Sequence, residues 1–224
     1  MHKETYFTPD TIHTTSLEIL DNLKNYRRRH ANFQLKLDST VLLVLDVQNY
    51  FFEEASHAFI PSSLAILPNI HKLVEQYTAH NLPVIFTRHL NSKHNAKLMA
   101  SWWKDLIDPE SISGHLVSGL DTSGGIVLEK SQYDAFYDTP LFDILSTRAI
   151  SQVVICGVMT HLCCETTARS AFMRGFEVFF TIDGTATYTR AFHQATLLNL
   201  SHGFVVPVLS NEVLAAFKRE NGNP

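Results

Sequence analysis

Short apolar runs alternate with segments of helical spacing along most of the chain, and this alternation constrains the fold more than any other feature. Six runs have the length and the content of β-branched and aromatic residues typical of buried strands: 40–46, 82–87, 125–130, 151–157, 176–183 and 203–209. Helical spacing of apolar residues occurs between them, at 15–30, 63–80, 138–147, 162–174, 190–201 and 211–220. Strands that alternate with helices form right-handed βαβ units and a parallel sheet covered on both faces. The sequence therefore predicts an α/β fold, a three-layer αβα sandwich with a doubly wound, Rossmann-like, six-stranded parallel sheet.

The domain organisation follows from the same pattern. The strands and helices of residues 38–224 form one domain, and residues 1–37 are an N-terminal helical extension. Residues 89–125 are less regular and contain Trp102 and Trp103, so we expect a helical insert, a lid or part of a subunit interface. We expect Ser210 or Asn211 to cap the last helix.

Charge and composition exclude several classes of protein. The net charge of −4 and the isoelectric point of about 6.3 do not favour nucleic acid or an acidic membrane surface as a partner. The one basic run, Arg27 to Arg29, lies at the end of a predicted helix, where the helix dipole favours cations. No apolar run is typical of a signal peptide or a membrane helix, and three cysteines cannot form a secreted disulfide framework. We therefore expect a cytoplasmic protein with reduced thiols.

Three reactive groups follow three of the predicted strands. Asp46 ends the first strand, Lys130 ends the third, and the turn after the fourth leads to Cys163 and Cys164. Each group alone has a structural explanation, as a capping carboxylate, a solvated ammonium or a small buried thiol. The topology brings all three to the carboxyl edge of the sheet, where the sites of open α/β folds lie. A cysteine at a helix start near a lysine should have a lowered pKa, and a carboxylate can accept its proton.

Other chemistries have less support in the sequence. An aspartyl phosphatase needs a second Asp two residues after Asp46, where Gln48 stands, and neither a dinucleotide-binding nor a P-loop glycine motif is present. His89 and His94 are five residues apart, which is poor spacing for a shared metal ion. The prediction is a site with no metal and no cofactor.

Four motifs in this order are similar to those of the isochorismatase-like cysteine hydrolases, which include nicotinamidases, N-carbamoylsarcosine amidases and isochorismatases. They are LLVLDVQNYF with Asp46, VIFTRH with Arg88, LEKSQYDAF with Lys130, and CGVMTHLCCETTARSAFMRGFEV with Cys163. The resemblance implies that Cys163 is the nucleophile, Asp46 the general base and acid, and Lys130 the residue that lowers the thiol pKa. It also implies a cis peptide between Val158 and Met159, and an oxyanion hole formed by the amides of Met159 and Cys163. Cys164 is expected to point into packing.

Departures from the family pattern bear on the substrate. Nicotinamidases carry a metal-binding Asp and His set after the second strand, and its absence from TRHLNSKHNAK argues against a nicotinamidase. Isochorismatases lack a cysteine at the nucleophile position, so Cys163 favours a carbonyl substrate. The resemblance predicts a hydrolase of a small carboxamide, carbamoyl or related C–N substrate through a thioester. An isochorismatase-type vinyl ether hydrolase and a non-catalytic scaffold of the same fold stay open.

The walls of the pocket are predicted from residues next to the motifs. These residues are Gln48, Phe52, Arg88, Tyr133 and Phe136. Each aromatic ring could equally pack in the core, and Arg88 could pair either with a substrate carboxylate or with Glu129. Family members are commonly dimers or tetramers, so a homodimer or homotetramer is expected.

Overall fold

The six predicted strands form one parallel sheet in the computed structural model, which describes residues 2–220. The strands are β1 Thr40–Leu45, β2 Val84–His89, β3 Ile126–Lys130, β4 Gln152–Val158, β5 Glu177–Ala186 and β6 Val206–Val208. Their order is β3-β2-β1-β4-β5-β6, and every neighbouring pair is parallel. The predicted fold class is confirmed.

Helices flank this sheet. They are α1 Ile12–Arg29, α2 Asn49–Phe52, α3 Ser63–Ala79, α4 Met99–Trp102, α5 Leu141–Thr147, α6 Glu165–Met173, α7 Arg190–Gly203 and α8 Ser210–Glu220. The six predicted helices are present with their ends moved by a few residues. The predicted helix 162–174 opens as a π-helical turn, Thr160–Cys164, before it becomes α-helical.

The strand order reverses between β1 and β4, which are hydrogen-bonded neighbours. Because crossovers between parallel strands are right-handed, a reversal of direction places helices on both faces of the sheet. Accordingly α3 packs against α8, and α6 packs against α7. Ligand sites of such sheets lie at the reversal point, outside the carboxyl ends of the strands.

The two strands at the reversal point are the most deeply covered. Every residue of β1 and β4 is buried, which explains why their sequences are nearly continuous apolar runs. The edge strand β3 alternates between buried and accessible residues. The reversal point therefore lies in the rigid centre of the molecule.

The N-terminal helix packs on the sheet domain. Helix α1 contacts β5, β6 and α7, and its Arg27 forms an ion pair of 2.6 Å with Glu212 in α8. Phe7, Ile19 and Leu23 belong to the same apolar core as the sheet. The boundary expected at residue 38 stays a prediction, and residues 221–224 of the predicted domain lie outside the described residues.

The segment between β2 and β3 differs from the helical insert that the sequence predicts. It holds only the single turn α4 and a 3₁₀ turn, Ile112–Gly114, within extended loops. Backbone hydrogen bonds pin the loops, from Asn91 N to Ile107 O (2.8 Å) and from Val117 N to Val47 O (2.9 Å). Glycine and serine are frequent there, and they interrupt helices. No helix within residues 2–220 has both the length and the apolar character that crossing a membrane requires.

Candidate active site

Four adjacent strands deliver four polar groups to the carboxyl edge of the sheet. Asp46 follows β1, His89 is the last residue of β2, and Lys130 is the last residue of β3. Cys163 lies in the π-helical turn after β4. All four residues are buried, with at most 6% of their surface exposed. The structure thus brings together the three groups that the sequence singled out.

A threonine on β2 holds the Asp46 carboxylate in place. Asp46 has a positive φ of 53°, a left-handed conformation that aspartate tolerates better than most residues. Its backbone N–H donates to Thr87 Oγ1 (3.1 Å), and the same hydroxyl donates to Asp46 Oδ1 (2.6 Å). Oδ1 is therefore occupied, and Oδ2 is directed to the other groups of the site.

The ammonium of Lys130 lies at the centre of the cluster. Its Nζ is 2.8 Å from Asp46 Oδ2, 3.4 Å from Cys163 Sγ and 3.3 Å from His89 Nδ1. It also donates to the carbonyl of Gln132 at 3.0 Å. Four acceptors thus surround a group with three protons, which fixes the side chain without any contact to solvent.

The charges of the cluster follow from these contacts. Burial alone would raise the pKa of Asp46, but the charge of Lys130 and the hydrogen bonds from Lys130 and Cys163 act together against it, and the pKa lies below its ordinary value. Burial would lower the pKa of Lys130, but Asp46 and Cys163 raise it. Asp46 is therefore an anion and Lys130 a cation at neutral pH.

The thiol differs from what the sequence predicts. Burial, and then the negative charge of Asp46, raise the pKa of Cys163, and Lys130 offsets only part of this. The expectation of a lowered thiol pKa was wrong because burial and the charge of Asp46 together outweigh the effect of Lys130. Cys163 is therefore a neutral thiol beside an ionised base.

The turn that carries the thiol has the predicted backbone. The Val158–Met159 peptide is cis, as the resemblance implies. The Met159 carbonyl accepts from Cys164 N at 3.2 Å, which closes the π-helical turn. Gly157 precedes the cis peptide with φ of +115°, and an added Cβ would lie 2.1 Å from the Leu45 carbonyl oxygen. Only glycine allows β4 to approach β1 so closely at the site.

The two adjacent cysteines have different surroundings. Cys163 lies 3.4 Å from Lys130, whereas Cys164 is fully buried in the apolar core. The prediction that Cys164 points into packing is confirmed.

His89 is the residue of the cluster that the sequence suggested only as a metal ligand. Its Nε2 lies 2.8 Å from Asn91 Oδ1, and its Nδ1 faces the Lys130 ammonium, which can only donate. The proton is therefore on Nε2, and burial followed by the charge of Lys130 lowers the pKa of His89 to about 4. The available signal was the spacing of Thr87 and His89, since residues two apart on a strand share a face.

A metal ion does not fit this site as it is built. Within residues 2–220, Asp46, His89 and Cys163 form a group whose ligand atoms lie within 4.8 Å of one another. The Lys130 ammonium already contacts all three residues, at 2.8 to 3.4 Å. It occupies the position of a bound cation, and a second positive charge there would be repelled. His94, the other histidine considered from the sequence, is exposed.

Three residues predicted to line the pocket have internal roles. Both ends of the Gln48 amide bind backbone: Oε1 accepts from His89 N at 2.8 Å, and Nε2 donates to Gly114 O at 2.9 Å. Phe52 belongs to the buried core. Phe136 stacks on Phe176 with ring centroids 5.9 Å apart. Strand joining and core packing thus already engage these three side chains.

Arg88 and Tyr133 have distinct positions. Arg88 Nε donates to Gly114 O (3.0 Å) and its NH1 lies 3.3 Å from Glu129 Oε1, which favours the internal partner over a substrate carboxylate. The Tyr133 hydroxyl accepts from Trp103 Nε1 at 2.8 Å. Burial raises the pKa of Tyr133. The Tyr133 side chain thus binds the segment between β2 and β3 through Trp103.

Comparison with known proteins agrees with this geometry. A family model described as "Isochorismatase domain" matches residues 40–212. The chain is 37% identical to "Nicotinamidase 3" of Arabidopsis thaliana, over 80% of this chain and 86% of that protein. It is 29% identical to "Isochorismatase" of Bacillus subtilis (strain 168), over 70% of this chain and 51% of that protein.

A solved structure shares the fold. The cysteine hydrolase from Pseudomonas syringae pv. phaseolicola 1448A superimposes with a TM-score of 0.77 at 22% identity, covering 84% of this chain and 96% of its own. The shared fold, together with the match to three quarters of the sequence, identifies the protein's family. The chain belongs to the isochorismatase family and is a hydrolase of that family.

Proposed function

We propose that the protein is a cysteine-dependent hydrolase that cleaves the C–N bond of a small carboxamide or carbamoyl compound. The observation that carries the proposal is the position of the Cys163 thiol. It lies 3.4 Å from the Lys130 ammonium, and that ammonium is 2.8 Å from the Asp46 carboxylate. A buried anion next to a neutral thiol is a base placed to accept its proton.

The first half of the reaction forms a thioester. As Sγ of Cys163 bonds to the carbonyl carbon, its proton passes to Asp46. The carbonyl oxygen becomes an oxyanion, which the amides of Met159 and Cys163 are proposed to bind. The oxyanion then collapses, the C–N bond breaks, and Asp46 returns the proton to the leaving ammonia or amine. Lys130 keeps its charge throughout and balances the negative charge as it moves from carboxylate to substrate.

The second half releases the acid. Asp46 accepts a proton from water while the water oxygen attacks the thioester carbon. The C–S bond breaks, and the proton on Asp46 restores the thiol. Because Asp46 is a carboxylate and Cys163 a thiol at the start and the end, one residue serves as base and acid in both halves.

Nicotinamide is the first substrate to test. The support is the 37% identity to a protein named Nicotinamidase 3 over most of both chains. The indole of Trp103, which donates to the Tyr133 hydroxyl in the loop after β3, adds an aromatic surface for a flat ring. Sequence reasoning argued against a nicotinamidase because the metal-binding set is absent. Ammonia release from nicotinamide decides between the identity and the missing metal-binding set.

A panel of substrates tests the reaction type. Ammonia release is measured with nicotinamide, acetamide and an N-carbamoyl amino acid, and pyruvate release is measured with isochorismate. We expect ammonia from at least one amide. Replacing Cys163→Ala should lower turnover by about a thousandfold or more, because no other group can form the thioester. Cys164→Ala is the matched control, and it should retain turnover within about threefold because Cys164 only packs.

The alternative function is vinyl ether hydrolysis. It is supported by the 29% identity to the protein named Isochorismatase, over 70% of this chain. Pyruvate release that persists in Cys163→Ala, without ammonia from any amide, would replace the amidase proposal with vinyl ether hydrolysis. No turnover by the wild-type protein, together with no protection of Cys163 from iodoacetamide by an aldehyde inhibitor, would support a non-catalytic scaffold.

A further inference from the structure

The first residues of the chain form a strap, residues 2–8, that crosses two loops of the sheet domain. On one side, Lys3 Nζ donates to the carbonyl of Phe59 at 2.7 Å. The backbone N–H groups of Tyr6 and Phe7 both donate to Ser62 Oγ, at 3.0 and 3.1 Å. The strap is therefore anchored to the segment that leads into α3.

On the other side, the strap binds the segment between β5 and α7. Glu4 N donates to the carbonyl of Tyr188 at 2.9 Å, and the Glu4 carboxylate accepts from the backbone N–H of Arg190. The Tyr6 hydroxyl accepts from Thr187 N at 3.0 Å. Three contacts thus fix residues 187–190 to the strap.

One route of contact leads from this segment to the turn that carries the nucleophile. The backbone N–H of Thr187 donates to the Tyr6 hydroxyl, and the Thr187 Oγ1 lies 2.6 Å from Nδ1 of His161. His161 belongs to the π-helical turn Thr160–Cys164. A displacement of Tyr6 would therefore shift Thr187 and His161, and His161 is two residues from Cys163.

A second route passes through a buried aromatic cluster. The rings of Tyr6 and Phe7 each lie 5.3 Å from the ring of His193. His193 Nδ1 lies 3.0 Å from Thr160 Oγ1, and Phe7, His193 and Thr160 are all fully buried. Thr160 directly follows Met159, whose amide is a proposed oxyanion donor. Both routes thus converge on the residues between Met159 and Cys163.

We propose that the N-terminal strap is a positioning element for the oxyanion turn, with Tyr6 as its central positioning residue. The strap lies outside residues 40–212, the part that matches the family model. The proposal rests on the proposed function, because it assumes that the turn binds an oxyanion. Tyr6 acts through Thr187 and Thr160 and does not itself contact the thiol.

An aldehyde probe separates the two proposals. Pyridine-3-carboxaldehyde should add to Cys163: the Sγ–C bond forms, the C=O π bond breaks, and the thiol proton moves to the aldehyde oxygen. That oxygen occupies the oxyanion position, so its binding reports on the hole. Alkylation by iodoacetamide forms an S–C bond with loss of iodide and needs no oxyanion site. Protection of the Cys163 peptide from alkylation, followed by mass spectrometry, gives the aldehyde affinity.

The variant is Tyr6→Phe, which removes only the hydroxyl. We expect aldehyde affinity and kcat for the amide substrate to fall together, by about tenfold, since a displaced donor costs less than the 10²-fold or more of a deleted one. KM and the alkylation rate should stay within about twofold. Tyr77→Phe is the matched control, because it removes a buried tyrosine hydroxyl that lies 3.2 Å from Thr40 Oγ1, within the core. It should leave kcat and aldehyde affinity unchanged.

The outcomes are distinct. Wild-type aldehyde affinity and kcat in Tyr6→Phe would overturn the strap proposal and leave the nucleophile assignment intact. A wild-type protein that no aldehyde protects would overturn the nucleophile assignment, and the strap proposal with it. Equal losses in Tyr6→Phe and Tyr77→Phe would reduce Tyr6 to a general stability role and also overturn the proposal.

A second variant keeps the test available if Tyr6→Phe fails to fold. Ser62→Ala removes the hydroxyl that holds the strap at its other end and touches neither Thr187 nor the turn. We expect a smaller loss of aldehyde affinity in the same direction, and no loss would contradict the proposal.

Discussion

Asp46 keeps its negative charge in a fully buried position because two neighbours stabilise the carboxylate. Lys130 binds Oδ2 at 2.8 Å, and the Thr87 hydroxyl donates to Oδ1 at 2.6 Å. A hydrogen bond to the charged form of an acid lowers its pKa, and an adjacent cation does the same. A base of this kind stays active at pH values well below neutral.

Replacing Thr87→Val tests the contribution of the hydroxyl. Valine has nearly the same shape but cannot donate, so the pKa of Asp46 should rise, and the acid limb of kcat/KM should move to higher pH. Near neutral pH we expect kcat/KM to fall by about tenfold or more, in line with about 1.5–3 kcal/mol for a hydrogen bond to a charged group. The measurement is the pH profile of ammonia release.

The control for this variant is Thr181→Val. The Thr181 hydroxyl is equally buried and donates to the carbonyl of Ile155 at 2.8 Å, within the sheet. It should leave the acid limb in place. An unmoved acid limb in Thr87→Val would show that the hydroxyl does not tune Asp46.

The sequence predicts the site residues that lie directly at strand ends. It does not predict residues such as Thr87, which hold those side chains in place. Asp46 and Lys130 were predictable because parallel strands bring their carboxyl ends to one edge of the sheet, although each residue alone had a structural explanation. The state of the thiol was not predictable, because it depends on burial and on the balance between the charges of Asp46 and Lys130, which only the structure reveals. Gln48 and Phe136 lie beside the motifs in sequence, yet their side chains bind backbone and core.

At the scale of elements, the site depends on how closely β4 approaches β1. The register pairs Leu45 with Gly157. Asp46 directly follows Leu45, and Met159, a proposed oxyanion donor, lies two residues after Gly157. The β4–β5 pairing is irregular between Ile155 and Gly157. Bulges of this kind commonly re-aim a strand end next to a site.

Gly157→Ala should therefore disrupt both stability and catalysis. The added Cβ would lie 2.1 Å from the Leu45 carbonyl oxygen, and φ of +115° is unfavourable for alanine. We expect a loss of about 3 kcal/mol or more in the free energy of unfolding, from overpacking and backbone strain together. Urea denaturation measures this loss, and kcat should fall as Asp46 and Cys163 separate.

Gly203→Ala is the matched control, since no atom lies within 4 Å of its added Cβ. It should change the free energy of unfolding by less than about 1 kcal/mol. A Gly157→Ala protein as stable as Gly203→Ala would contradict the close approach of the two strands.

The elements themselves were largely predictable, and the exceptions have physical causes. Strand β5 continues to Ala186, three residues beyond the prediction, and Gly184 and Ala186 are buried in it although neither residue type favours strands. The π-helical opening before α6 has no periodicity signal, since a single wide turn spans too few residues. Residues 90–125 depend on tertiary hydrogen bonds, which local patterns do not encode.

At the scale of the whole molecule, two buried histidines link the active site and the strap to the pH dependence of folding. Burial, and then the charge of Lys130, lower the pKa of His89 to about 4, and burial lowers the pKa of His193 to about 3. Both stay neutral in the folded protein at pH values where an unfolded chain, with a histidine pKa near 6.5, takes up protons.

The sign of the effect follows from proton binding. Below about pH 6.5 the unfolded state binds more protons than the folded state, so the free energy of unfolding falls as the pH is lowered. Each histidine contributes a slope that approaches about 1.4 kcal/mol per pH unit, until the pH reaches its folded pKa. Burial raises the pKa of Asp183 and acts in the opposite direction. The clearest window therefore lies between about pH 6.5 and 5, above the ordinary range of aspartate.

Urea denaturation at pH 6.5, 6.0, 5.5 and 5.0 measures this slope for the wild type and for the single variants His89→Gln and His193→Gln. Each variant should reduce the slope by up to about 1.4 kcal/mol per pH unit, whatever its effect on stability at pH 7. The reason is that the unfolded variant can bind one proton fewer than the unfolded wild type. His13→Asn is the control, since His13 is exposed in the folded protein and water surrounds it in both states. A slope that is the same in all four proteins would mean that neither buried histidine stays neutral in the folded state.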